Sequence, residues 1–189
     1  MAQRRRHVHV VSETAGNWLY AVGDVNHRAL LAHVGKYQAR ACAATIAARA
    51  HGDTMGDPTA RWSQFRATTD HTAVPQVIFS DPQVATVGVT ETAARTMKVN
   101  VKAVDCDIGA VDGAELHTDG YAGHAKIIID ENRHLLVGAT FIGPQVGDLL
   151  QAATIAIVGE VPLDRLWNAI PSFPTVSEAW LSLLENYGY

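Results

Sequence analysis

Apolar residues follow two different periods along this chain. From Trp18 to Val22 they run almost unbroken into Gly23-Asp24, which predicts a strand closed by a turn. Ala29 to Ala50 then predicts one long helix, whose small residues Ala39, Ala41, Ala43, Ala44, Ala47 and Ala48 suit close packing. His51 to Pro58 is dense in Gly, Asp and Pro and reads as a linker. Thr59 to Asp70 is weakly patterned, and Trp62 and Phe65 are expected to order part of it.

Beyond Ala73 the pattern becomes that of strands: Gln76 to Ser80, Val84 to Val89, Asn100 to Asp107, Ala122 to Asp130 and His134 to Ile142. Thr90 to Met97 fits a helix with Thr90 as N-cap and Glu91 in the first turn. Asp130-Glu-Asn-Arg133 joins two β-rich runs and predicts an antiparallel hairpin. Gln145 to Glu160 has helical spacing, followed by shorter helices at Pro162 to Ala169 and Thr175 to Asn186, the last started by Pro174. Grouped strands with helices at the ends of the run give an α+β class, an antiparallel sheet flanked by helices. The strand and helix before residue 55 have no sheet to join. They belong to something outside this sequence or need a partner chain.

Composition narrows the functions. The 189 residues carry a net charge of −4 with 18% charged residues, which argues against nucleic acid as the main partner despite Arg4-Arg-Arg6. No apolar run reaches the roughly 18 residues that span a bilayer, and the start lacks a signal-peptide core, so no membrane is expected and a cytoplasmic location is. Cys42 and Cys106 have no redox or metal spacing. Cys42 reads as a small buried hydrophobe, and the carboxylates flanking Cys106 raise its thiol pKa. Nine scattered histidines form no H-x-x-x-H pair, so no metal site is expected. Gly109 to Gly123 holds several glycines but no strand-turn-helix context for a phosphate loop.

Four strings, in order, resemble one family. Ala21-Val-Gly-Asp-Val-Asn-His-Arg-Ala-Leu-Leu-Ala-His33 resembles the second flavin motif of the FAD-dependent pyridine nucleotide-disulfide oxidoreductases. Val74 to Glu91 resembles the opening of that family's dimerisation domain, and Gly123 to Asp130 with Leu135 to Gly138 resembles the domain's central hairpin. Ile170-Pro-Ser-Phe-Pro-Thr-Val-Ser-Glu178 resembles its carboxyl-terminal signature. The resemblance divides the chain into a remnant of an FAD domain (residues 1–55), a linker (56–73) and a dimerisation domain (74–189).

That resemblance implies a flavin site at Gly23, Asp24, Leu31 and Ala32. Asp24 would accept a hydrogen bond from the FAD ribityl chain, and the amides of Leu31 and Ala32 at the helix start would face the flavin pyrimidine. The bland alternatives are a surface Asp and ordinary packing of Leu31 and Ala32. Disulfide-reducing members carry a His before Pro-Thr that pairs with a Glu five residues on and reaches the other subunit's active site. Here Phe173 stands in place of that His while Glu178 remains, so the acid-base pair is broken. Such a signature is similar to members that use no catalytic His, such as mercuric reductase and soluble transhydrogenases.

The expected protein is therefore the carboxyl-terminal part of an FAD-dependent NAD(P)H oxidoreductase. It forms a homodimer and places Phe173 and Glu178 at a neighbouring active site, whose electron acceptor the sequence does not name. No redox cysteine pair and no nucleotide-binding glycine loop occurs here, so this chain alone is expected to bind FAD weakly or not at all and to be inactive. The alternative is a stand-alone, non-catalytic dimeric scaffold. Ile155, Ile157, Val158, Val161, Leu163 and Leu166 are the apolar residues expected to leave a surface that dimerisation covers.

Overall fold

The computed structural model describes residues 19–57 and 60–189. The chain divides between Val74 and Pro75 into two compact units.

In the first unit Val22 holds the extended backbone of the expected strand (φ −132°, ψ 151°), and Gly23–Asn26 tightens into a 3-10 turn. No ladder forms over Leu19 to Val22, because no second strand is there to pair with it among the described residues; Trp18 lies outside them. Helix α1 spans Ala32–His51, three residues later than the pattern predicts at its start. Leu31 is extended (φ −136°, ψ 128°) and acts as N-cap, which excludes Ala29 and Leu30 from the helix. Gly52 ends it in the left-handed region, its N–H turned back to Ala48 and Arg49.

One face of α1 is buried through Val34, Gln38, Ala41, Cys42, Thr45 and Ala48, a three-and-four spacing. Ala39, Ala43 and Ala47 face out, so the alanines are not uniformly a packing surface. Residues 60–69 are tied down differently from expectation. Trp62 is 56% exposed, whereas Ala67 packs on Ala41 beside Tyr37. The Tyr37 hydroxyl accepts from the Thr68 and Thr69 amides at 2.8 and 3.3 Å. Polar backbone seeking an acceptor, more than aromatic burial, orders this segment.

The second unit is a five-stranded antiparallel sheet: β1 Gln76–Ile78, β2 Gln83–Gly88, β3 Val101–Asp107, β4 His124–Asp130 and β5 Leu135–Gly143, in the order β1-β2-β5-β4-β3. Register sorts its rows by chemistry. Ala85, Phe141, Ala125 and Cys106 lie side by side across four strands and are all buried. One residue along, Thr86, Thr140, Lys126 and Asp105 form a polar row. A one-residue slip would exchange the two, so burial of one face fixes the register. The β4–β5 hairpin forms as predicted, with Asp130 accepting from the Asn132 and Arg133 amides in the turn.

Helix α2, Glu91–Thr96, begins where predicted, and the Thr90 hydroxyl accepts from Ala93 N at 3.2 Å. Helix α3, Asp112–His117, was not anticipated. It follows β3 and a 3-10 turn over Ile108–Ala110, so residues 109–123 do sit in a strand-turn-helix context. The glycine of α3 serves packing: Gly113 is buried where a Cβ would fall 2.1 Å from the Thr175 carbonyl carbon.

Helix α4 covers only Leu150–Val158 of the expected 145–160. Gln145 has φ +52°, outside helical space, and residues up to Leu149 turn before the helix starts. Helix α5 is Leu163–Trp167. The last helix, α6, is Ala179–Tyr187, preceded by a 3-10 turn over Val176–Glu178 whose N-cap is Thr175. Pro174 therefore precedes the cap instead of occupying the first turn. α6 lies over the buried rows: Trp180 meets Phe141 edge-on at 5.6 Å, and Cys106 Sγ donates to Ala179 O at 3.7 Å. Among the described residues no helix is long and apolar enough to cross a membrane.

Candidate functional site

Two places gather the residues singled out in the sequence, one in each unit. In the first, Gly23 has φ +76°, a conformation that glycine adopts without strain, and it starts the turn that carries Asp24. Asp24 is exposed and bonds through its carbonyl to His27 N at 3.0 Å. Gly23 also faces Gly35 on α1, where a Cβ would approach the Gly23 Cα to 3.3 Å. The turn thus sits directly on the helix.

The start of α1 has no side-chain cap and no acidic residue. Its first backbone bonds run from Val34 N and Gly35 N to Leu31 O, at 3.0 and 3.1 Å. The amides of Leu31 and Ala32 precede them, at the positive end of a 20-residue helix. An exposed carboxylate, an uncapped helix start and a glycine turn make a surface suited to an electron-rich, hydroxyl-bearing ligand. The sequence reading missed the side chain that builds it, Gln38. A polar residue on the stripe between Val34 and Ala41 was the available signal.

In the second unit Phe173 stands 71% exposed beside Ile170, at 91%. Glu178 ends the 3-10 turn after them and is half-buried, and its Oε2 is fully covered with no hydrogen-bond donor among the described residues. Trp180 Nε1 is likewise covered and unpartnered. Thr175 ties the loop through its hydroxyl to Ser172 O at 2.7 Å, and Glu178 N donates to Thr175 O at 3.1 Å. The backbone of Thr175 rests on Gly113 of α3, so one turn presents Phe173 outward while Glu178 points inward.

The two thiols are not poised as nucleophiles. Burial, then Asp107 and Asp105, push the Cys106 thiol up to about 11. Burial also raises Cys42. Neither has the depressed pKa of a nucleophile. No cluster of His, Cys, Asp or Glu that could hold a metal ion occurs among the described residues.

Comparison with known proteins gives this architecture its lineage. The family description "Pyridine nucleotide-disulphide oxidoreductase, dimerisation domain" matches residues 74–183. The chain belongs to the pyridine nucleotide-disulphide oxidoreductase family. Relatives within that family include a dihydrolipoyl dehydrogenase of Chlamydia trachomatis, 32% identical over 162 residues, covering 86% of this chain and 31% of that protein. The dihydrolipoyl dehydrogenase of Thermus scotoductus is 31% identical over 173 residues, covering 92% of this chain and 34% of the relative. Among solved structures, the HOCl-induced flavoprotein disulfide reductase RclA of Escherichia coli superimposes with a TM-score of 0.73 at 23% identity, over 91% of this chain and 36% of RclA. LpdA of Mycobacterium tuberculosis gives 0.72 at 18%, over 90% and 34%. These two likenesses speak for the fold. The chain spans about a third of the length of the relatives it matches.

Proposed function

We propose that this chain is the carboxyl-terminal part of a cytoplasmic, FAD-dependent NAD(P)H oxidoreductase. Residues 1–55 complete a flavin domain, 56–73 link, and 74–189 form the subunit interface of a homodimer. The residues present fit the cofactor: Gly23 allows close approach of the turn, Asp24 is exposed to accept from a ribityl hydroxyl, and the uncapped start of α1 offers the amides of Leu31 and Ala32. FAD, when bound, supplies the two-electron carrier between NAD(P)H and an acceptor. The chain's own contribution at this end is electrostatic, because the helix dipole favours negative charge near its start.

The observation that carries the functional reading is Phe173, exposed where disulfide-reducing relatives are expected to keep His, with the covered Glu178 Oε2 lacking a donor. Phenylalanine moves no proton. It supplies an apolar wall that excludes water, which suits a planar or metal acceptor needing no proton from this position and not a disulfide. The exposed Ile155, at 59%, together with Ile170 and Phe173, supports a covered interface in the assembled enzyme. Leu163 does not contribute to it, being fully buried, and Ile157, Val158, Val161 and Leu166 are only half-exposed.

The test is Phe173→His in the full-length enzyme that carries this chain. Quinone or metal-ion reduction is expected to fall or stay level, while disulfide turnover rises and its pH-rate profile gains an ionisation near that of imidazole. A large rise in quinone or metal turnover would show that Phe173 is no adaptation to such acceptors. A strictly monomeric protein by sedimentation at micromolar concentration would remove the interface from the proposal.

A further inference from the structure

We propose that Gln38 is a positioning residue, a buried clamp that holds both ends of the Gly23–Asn26 turn and so sets where Asp24 stands over the start of α1. Its function rests on the flavin reading of this turn, while its geometry does not. The Gln38 side chain is wholly buried, although it lies on a surface helix among Val34, Ala41 and Cys42. Burial of an amide in such a stripe is costly unless its polar atoms are paired. Its Oε1 is paired twice, accepting from Gly23 N at 2.8 Å and from Asn26 Nδ2 at 2.7 Å.

These two donors are the first and last residues of the turn, with Asp24 between them. Asn26 extends the clamp, because its Oδ1 accepts from Arg28 N at 3.1 Å and so fixes the chain that leads to Leu31. The floor of the arrangement is Gly35, one turn before Gln38 on α1. A side chain there would press on the Gly23 Cα. One acceptor atom therefore determines the height of the turn, the direction of the following segment and the spacing between the Asp24 carboxylate and the helix amides. A ligand that uses both at once requires that spacing to be held before it arrives.

The sequence hides this role. Glutamine is a good helix former, and nothing local marks it as a partner of a residue fifteen positions earlier. The two bonds to the turn use only the Oε1 acceptor. A carboxylate in the same place would receive the same two donors, whereas an isosteric hydrocarbon would leave a backbone N–H and an amide unpaired.

The experiment compares Gln38→Leu and Gln38→Glu with the unaltered sequence in a full-length flavoprotein that carries this chain, reading FAD affinity by titration, the fluorescence of the bound flavin, and the exchange rate of the Gly23 amide. Gln38→Leu is expected to weaken FAD binding roughly tenfold, the consequence of two half-buried donors losing their acceptor, and to speed Gly23 exchange. Gln38→Glu keeps an acceptor facing both donors and is expected to bind FAD more tightly than Gln38→Leu, with slower Gly23 exchange than in Gln38→Leu. Equal affinity and equal Gly23 exchange in Gln38→Leu and the unaltered protein would overturn the clamp. Should Gln38→Leu not fold, Asn26→Ala removes one of the two bonds from a half-buried position. It is expected to weaken FAD by roughly three- to tenfold, and no change would again overturn it. An unaltered full-length protein that takes up no FAD sinks the cofactor reading alone, and Gly23 exchange then decides the clamp by itself.

Discussion

The two units solve the same problem of satisfying a buried backbone in opposite ways. In the sheet unit four strands carry the row Ala85, Phe141, Ala125 and Cys106, every member buried and every strand paired. In the first unit a single helix stands over an extended segment with no ladder, and its buried stripe includes Gln38 and Thr45. Leu19, Val25, Leu30 and Ile46 remain 43–69% exposed there. One unit is held by many apolar contacts that support each other. The other hangs on a few named hydrogen bonds.

That difference sets the largest expected effect. Truncating Phe141, which is wholly buried and backed by Trp180, should cost about 3–5 kcal/mol by the usual price of a large-to-small change in a tight core. Val34→Ala, at a buried position on α1, should cost only about 1 kcal/mol or less, because its surroundings can collapse. Denaturant unfolding followed separately by near-UV signals of the sheet unit and by helix content would check this. Equal costs would mean that the first unit possesses a core as cooperative as the sheet's.

Next in size is Gly113→Ala. The new methyl would lie 2.1–2.5 Å from backbone atoms of Thr175, and backbone cannot rotate away as a side chain can. A loss of about 1–3 kcal/mol is expected for the sheet unit, with faster proteolysis between Ile170 and Glu178. The matching change in the other unit, Gly35→Ala, meets the Gly23 Cα at a looser 3.3 Å and should cost clearly less. A milder effect at 113 than at 35 would invert the comparison.

The same contrast explains what could be read from the sequence. The strands were legible within one or two residues, because a half-buried sheet writes a period of two that survives in every row. Thr90 and Glu91 announced α2 through capping chemistry that acts within four residues. Residues whose role depends on distant partners were not legible. Gln38 answers Gly23, Tyr37 answers Thr68, and Gly113 answers Thr175 across 62 positions, so no local pattern names their partners. Helix α3 is six residues long, too short to declare a period. The late start of α4 follows from one left-handed residue, Gln145, that its side chain does not foretell. Of the candidate sites, the motif positions Asp24 and Phe173 were visible as residues, while the clamp beneath Asp24 and the platform beneath Phe173 came only with the fold.

The finest probe of the comparison is the pair of thiols, since each unit buries one: Cys42 at 7% exposure and Cys106 at 8%. Near-equal burial means that a difference in labelling beyond what the ionisation of the two thiols gives reports how often each region opens. Cys106 lies in the supported row, hydrogen-bonded to α6, and its thiol is pushed up to about 11 by burial and by Asp107 and Asp105. Cys42 should therefore label roughly tenfold faster or more with an aromatic disulfide at pH 8, through local opening of α1. The sign of the pH dependence follows from the raised value. A thiol whose folded pKa exceeds its unfolded one favours the protonated native state below the unfolded pKa, and that contribution is lost as pH rises from about 9 towards 11. Cys106 should take on the order of 2 kcal/mol from the stability of the sheet unit across that window, and Cys106→Ala should reduce the slope by that share, leaving what Tyr121 and Tyr187 contribute through hydroxyls that burial also pushes up. Labelling of Cys106 at the rate of Cys42, or a slope that Cys106→Ala leaves unchanged, would place the two regions on an equal footing.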